Sequence, residues 1–353
     1  MTELLTWSAL QLLPSENVQT TELGNTGVPV SQLALGAMQM GNATPEDDSI
    51  RILDRYLDVG GSFIDTADCY EWWGSPGSRG GESEELLGRW MRSGNHRDRI
   101  FLATKGTALP AYSPDLWGPD GTPNWELARS TFAGAGANTL REALDGSLRR
   151  LGTDHVDLYY VHVDDLSTPL EETLEALADL VRSGKTRYIG WSNVRTWRME
   201  RIRQLCAQNG WPAPVALQQQ HSYLRPAGGG DAASIVSGEQ LDYLREHDDL
   251  TLVAYSPILK GSYDDAAKRE SHWQMAAYRG PDSDARLGAL EEVAGEVGVT
   301  PNQLVVAWLL HQSRPRVIPL VGPRTSEQLE NLLPALDVKL TGEQLTRLDD
   351  AGV

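Results

Sequence analysis

Cysteine is almost absent. Cys69 and Cys206 are the only two in 353 residues, too few for a disulfide framework or for a zinc-binding spacing. Long apolar runs are missing as well: no stretch reaches the eighteen or so residues that a bilayer crossing needs. The N-terminal MTELLTWSALQLLPSENV carries acidic residues and no basic region, which argues against a secretory signal. Positive charge is in deficit, with 31 Lys and Arg against 49 Asp and Glu. A net charge of −18 repels nucleic acid and anionic lipid. No GxxxxGK[ST] phosphate loop occurs, and GAGANT (134–139) has neither the spacing of a dinucleotide fingerprint nor a strand before it. These absences point to a soluble protein in a reducing, cytoplasmic setting, with a small-molecule substrate and neither nucleic acid nor membrane as partner.

What is present is alternation. Hydrophobic residues make up 40% of the chain, enough for a sizeable core. Eight short apolar runs end abruptly: 33–38, 62–67, 100–105, 155–162, 187–193, 215–219, 250–256 and 316–322. Helical patterns lie between them, among them PEDDSIRILDRYLDVG, ESEELLGRWMRS, NTLREALDGSLRRLG and LEETLEALADLVRSG. Capping boxes are expected at Thr168–Glu171, Thr300–Gln303 and Thr325–Gln328. Gly60, Gly152 and Gly184 stand where helices should close. Repeated strand–helix alternation predicts parallel strands with right-handed crossovers, and eight of them predict an α/β fold of the (β/α)8 (TIM) barrel type. A hairpin around Gly24–Gly27 should precede it. Residues 1–18 read as an extension, either a short amphipathic helix or a frayed segment, and 19–353 as one domain. The long connections 71–81, 106–137, 222–237 (with Gly228, Gly229 and Gly230) and 257–284 all follow strands. In a barrel they rise from the C-terminal face, where active sites sit.

Three consecutive strands end in titratable groups: Asp65, Lys105 and His162, with Tyr70 five residues past Asp65. Adjacent strands lie about 4.8 Å apart, so Asp65 and Lys105 can meet at the barrel mouth. Together the four suit proton transfer to a carbonyl oxygen. A tyrosine titrates near ~10, and a neighbouring ammonium should lower that value. Asp65 would hold the lysine, and His162 would orient the same oxygen, making an oxyanion-hole pair with Tyr70. Taken singly, each has a structural reading: a helix cap, a surface charge, a packed ring.

The motifs DTADCY, GESEELLGRW, ATK, SLRRLGTDHVDLYYVH, YIGWSN, VAYSP and VGPRTSEQL occur in the order found in aldo-keto reductases, and from about residue 20 onward the chain resembles that family. The resemblance implies a catalytic tetrad of Asp65, Tyr70, Lys105 and His162, with Tyr70 as general acid and no metal. It implies nicotinamide contacts from Ser192, Asn193 and Gln218, stacking by Tyr255, and further cofactor contacts from Gly36, Ala37, Met38 and Asp65. Ser256, Pro257, Leu259 and Gly261 would follow along the dinucleotide. At its far end come Gly322, Arg324, Gln328 and Asn331. Arg324 beside a helix start suits a 2′-phosphate, so NADP(H) is the expected cofactor, with NAD(H) the alternative. The chain departs from the family at His221, where many relatives have tyrosine. It departs again at Leu332, which takes the place of the usual adenine-contacting asparagine and leaves Asn331 as the nearest substitute.

Substrate candidates are the loop tryptophans Trp72, Trp73, Trp117 and Trp125, whose faces suit sugar C–H surfaces or aromatic aldehydes equally; the same rings could simply rivet the loops. The main expectation is an NADPH-dependent reductase of aldehyde, ketone or sugar-like carbonyls. Alternatives are a sugar or polyol dehydrogenase working oxidatively and a non-catalytic, NADP-sensing regulatory subunit.

Overall fold

The computed structural model describes residues 18–227 and 232–352. The expectation of a helix or frayed segment at the N-terminus and the glycine run 228–230 lie outside the described residues. Val18 is buried, and its N–H donates to the Val59 carbonyl at 2.6 Å, so the last residue of the expected extension already packs on the barrel.

A hairpin comes first. β1 (Thr20–Glu22) pairs antiparallel with β2 (Pro29–Ser31). Arg316 donates to the Glu22 and Gly24 carbonyls and anchors this hairpin against the barrel. Eight parallel strands then close on themselves. They are β3 (Ala34–Gly36), β4 (Phe63–Asp65), β5 (Phe101–Gly106), β6 (Val156–Val161), β7 (Thr186–Ser192), β8 (Ala216–Gln220), β9 (Thr251–Tyr255) and β10 (Val317–Val321). β10 pairs with β3, which closes the ring. All eight expected apolar runs are strands; β3, β4, β6, β9 and β10 are shorter than their runs at both ends, and β5, β7 and β8 keep the expected length shifted by one residue.

The outer layer contains α1 (Glu46–Asp58), α2 (Glu82–Gly94), α4 (Ala137–Leu151), α5 (Leu170–Arg182), α6 (Thr196–Asn209), α7 (Gly238–Glu246), α9 (Pro281–Val297), α10 (Pro301–Leu310), α11 (Ser326–Leu332) and α12 (Gly342–Asp350). Two short helices, α3 (Trp125–Ser130) and α8 (Ala266–Ser271), sit inside long loops. The reciprocal capping box forms at Thr300–Gln303. Thr325 caps α11, but the Gln328 side chain accepts from the Arg324 N–H, one residue early. The expected box at Thr168 does not form: Thr168 donates to Asp165 instead, and α5 starts after Pro169.

The strand period of two sorts side chains into two cores. Ile64, Leu102, Tyr159, Ile189, Leu217 and Leu252 point outward against the helices. Phe63, Phe101, Leu158, Tyr160, Ala216, Val253 and Ile318 fill the barrel, with Tyr188 of β7 packed against them and Leu23 and Val30 of the hairpin beneath them. Counting on from these inward residues by twos reaches Asp65, Lys105, His162, Ser192, Gln218 and Tyr255. The alternation that packs the interior therefore also aims these polar side chains into the mouth.

Candidate active site

Lys105 is fully buried, and its ammonium has three oxygen partners. It donates to the Asp65 carboxylate, to the Thr66 carbonyl at 2.9 Å and to the Tyr70 hydroxyl at 2.7 Å. All three N–H donors are used, so the cation is fixed. The other Asp65 oxygen accepts from Gln218 Nε2 at 2.9 Å. Burial pushes the Asp65 carboxyl up, and the Lys105 charge pulls it back. The turn at 67–70 brings Tyr70 over the mouth, with its N–H on the Ala67 carbonyl. The His162 ring stands edge-on to the Tyr70 ring, centroids 5.7 Å apart. The four residues singled out in the sequence thus converge.

The direction of the Tyr70 shift corrects the expectation. The phenol lies well above its ordinary value, first because it is buried and then because of the Asp65 charge. Lys105, although bonded to the phenol, therefore does not make Tyr70 acidic at rest. His162 moves the opposite way, well below its usual value, through burial and then the Lys105 charge. At neutral pH both rings are uncharged.

The strand ends are tied together. Asn193, in a left-handed conformation (φ 53°), donates from Nδ2 to the His162 carbonyl at 2.7 Å and accepts from the Tyr255 hydroxyl at 2.9 Å. Ser192 Oγ accepts a second bond from Asn193 Nδ2. Sequence order alone could not reveal that Gln218 holds Asp65 from 153 positions away.

Around the rim the backbone is unusual. Ser256, Leu259 and Lys260 all have positive φ, at 53°, 45° and 61°, conformations costly for residues with side chains. The Leu259 side chain is in the core, so only its backbone can meet a ligand. Ala37 is likewise buried, with its N–H on Asp65 and its carbonyl on Ser83, while Gly36 and Met38 stay partly open. Lys260 was missed in the sequence, where a cation between Leu259 and Gly261 in so acidic a chain was the available signal. Its ammonium is pushed down by desolvation and then by the Arg324 and Lys268 charges. Among the described residues neither Lys260 nor Arg324 has a carboxylate partner. Ser326 Oγ, at the start of α11, is buried without a hydrogen bond. A Cβ built on Gly322 would meet only the Gly36 carbonyl, at 3.6 Å. Unpaired cations, an orphan hydroxyl and open backbone suit the phosphates of a nicotinamide dinucleotide. Pro257 and Gly261 continue this rim, and Gln328 and Asn331 are exposed on α11. Leu332 is buried and faces the core.

The four loop tryptophans lie together but are unequally exposed. Trp72 is buried and touches Trp73, Trp117 and Trp125, with centroids 5.0–6.0 Å apart. Trp117 is buried too. Trp73, half-buried, lies edge-on to Tyr70 at 6.2 Å, and Trp125 is 42% exposed. Of these four rings, Trp73 and Trp125 are the ones that offer surface to a substrate.

The aldo/keto reductase family model matches residues 32–352. The chain is 32% identical to "Uncharacterized oxidoreductase YrpG" of Bacillus subtilis, over 94% of this chain and 95% of that protein. It is 33% identical to "Norsolorinic acid reductase stcV" of Emericella nidulans, over 92% and 79%. Among solved structures it resembles the thermostable aldo-keto reductase Tm1743, crystallised with the inhibitor epalrestat, at TM-score 0.67 and 28% identity over 94% and 99% of the two chains. With its closed eight-stranded barrel and polar mouth, the chain belongs to the aldo/keto reductase family and is an NAD(P)H-dependent oxidoreductase.

Proposed function

We propose that the protein reduces an aldehyde or ketone to an alcohol with NADPH, in the cytoplasm, and that Tyr70 is the proton donor. The observation that carries this reading is Lys105 bonded to both Asp65 and Tyr70 with the His162 ring alongside. A bound dihydronicotinamide supplies hydride. Tyr70 Oη supplies the proton. Held high by burial, the phenol keeps that proton at neutral pH, as a donor must. As the proton leaves, the phenolate forms 2.7 Å from the Lys105 ammonium. At ~4 Å and effective dielectric ~20 such a pair gains roughly 4 kcal/mol before desolvation, a gain present in the product of proton transfer and absent from the resting phenol. His162, uncharged, donates a hydrogen bond to the substrate oxygen and sets its direction. Asn193, Ser192 and Gln218 would hold the carboxamide, Tyr255 would face the ring, and Lys260 and Arg324 would take phosphate charge. Trp73 and Trp125 favour an aromatic or otherwise flat carbonyl compound.

The test is NADPH consumption with a panel of aldehydes and ketones, in the wild type and in Tyr70→Phe. General acid catalysis contributes about 10²–10⁴-fold. The variant should lose turnover by that factor and keep NADPH affinity within about twofold. Wild-type turnover in Tyr70→Phe would remove Tyr70 from its role. Tight NADPH binding by the wild type with no turnover on any carbonyl would favour a cofactor sensor instead.

A further inference from the structure

Neither His162 nor Tyr70 accounts for Cys69. Its thiol lies 3.4 Å from His162 Nδ1, between residues 93 positions apart in the chain. Cys69 is buried among Ala67, Trp72 and Trp117, and it occupies the same turn that delivers Tyr70. We propose that Cys69 is a positioning residue: its S–H donates to His162 Nδ1 and thereby fixes the proton of the neutral imidazole on Nε2. The proposal rests on the reading of His162 as the group that hydrogen-bonds the substrate oxygen.

The argument is one of donors and acceptors. A neutral imidazole has one N–H donor and one acceptor nitrogen, and the partner of one nitrogen decides where the proton sits. To donate to a carbonyl oxygen, the nitrogen facing the site must carry the proton, so the other must accept. A thiol is a weak donor but a weaker acceptor, and an sp2 nitrogen is a good acceptor, so the S–H to Nδ1 sense is favoured. Burial pushes the Cys69 thiol up, and the Asp68 charge adds to this where that carboxyl is ionised, which keeps the proton on sulfur across the working range. The backbone around His162 is already held: its N–H donates to the Gly106 carbonyl at 2.9 Å, and its carbonyl accepts from Asn193. What these bonds leave undetermined is the ring proton, and the Cys69 contact determines it. The Asp68 carboxylate completes a group of three atoms with Cys69 and His162, all within 4.8 Å of one another. Lys105 lies close enough to lower the His162 value, and a cation bound at these three atoms would have to tolerate that charge.

The test compares wild type, Cys69→Ala and Cys69→Ser by nitrogen-15 NMR of histidine-labelled protein and by steady-state kinetics. The His162 signal is assigned by its loss in His162→Gln. Wild type and Cys69→Ser, which keeps an O–H donor, should both show the Nε2–H tautomer. Cys69→Ala should show mixed tautomers and lose about fivefold to tenfold in kcat, while NADPH affinity stays unchanged and Cys69→Ser recovers most of the loss. A wild-type spectrum with the proton on Nδ1 overturns the proposal even if no variant folds. So does a Cys69→Ala protein with an unaltered tautomer, or one with wild-type kcat. Failure of the parent reading looks different: His162→Gln would keep wild-type kcat while the wild-type tautomer still depended on Cys69.

Discussion

Lys260 and Arg324 sit near one another at the rim, with Lys268 close by, in a chain whose overall field repels a polyanion. Like charges gathered without a carboxylate repel one another, and an incoming phosphate relieves that repulsion while gaining charge-assisted hydrogen bonds. Arg324 precedes α11 directly, and its own N–H is already taken by Gln328. Among the described residues its guanidinium has no carboxylate partner, and in the proposed reading it meets the phosphate that NADPH has and NADH lacks. A hydrogen bond between charged partners is worth about 1.5–3 kcal/mol, or roughly tenfold to a hundredfold in affinity. Arg324→Ala should raise the Kd for NADPH by that factor and shift the Kd for NADH by less than about threefold, measured by quenching of tryptophan fluorescence. Equal weakening of both cofactors would place Arg324 elsewhere than on the 2′-phosphate.

The loops over the mouth divide their tryptophans between packing and recognition. Trp72 is enclosed by three other indoles, and Arg79 lies over the Tyr112 ring at 3.2 Å, so loops 71–81 and 106–137 are latched together. Removing a buried tryptophan costs about 3–5 kcal/mol, and Trp72→Ala should lower the melting temperature whatever the substrate. Trp73→Ala should leave melting nearly unchanged, raise KM several-fold for aromatic aldehydes and spare the smallest aliphatic ones. A Trp73→Ala loss spread evenly over all substrates would deny that ring a recognition role. The sequence showed that these loops carry tryptophans but not which ones turn inward, because the sorting depends on α3, a short helix within an irregular segment. The strands were far more legible. Strands covered by helices outside and packed inside read as apolar runs, and the abrupt ends of three such runs showed Asp65, Lys105 and His162. Contacts between distant positions, Gln218 on Asp65 and Cys69 on His162, leave no periodic trace and emerged only from the closed ring. Thr168 shows the limit of local patterns: its box sequence is intact, yet Asp165 offers the hydroxyl a better partner.

Across the whole molecule, buried titratable groups set how stability follows pH. Asp68 is buried, one of its carboxylate oxygens has no hydrogen bond, and burial together with the Glu84 charge pushes it up to about 8. Glu71, beside Tyr70, rises to about 6. For both, the folded state holds a proton that the unfolded chain releases near ~4, so their contribution to stability falls as pH rises through that interval. His221 is pushed down to about 4, and His162 is also lowered. The unfolded chain then binds protons first, and stability falls as pH drops below ~6.5. The two trends oppose each other in mild acid. Well above pH ~6.5 the histidines are neutral in both states and Glu71 has ionised, while Asp68 still holds its proton up to about 8. One proton is worth about 1.4 kcal/mol per pH unit, so the Asp68 contribution to wild-type stability should fall by about 1.5 kcal/mol between pH 6.5 and 8. Asp68→Asn keeps the shape and cannot ionise. Its melting temperature should exceed the wild-type value at pH 8, match it more closely at pH 6.5 and stay nearly flat between the two. Parallel melting curves for the two proteins over that interval would mean that Asp68 already carries its charge in the folded barrel, with Arg150 rather than a proton offsetting it.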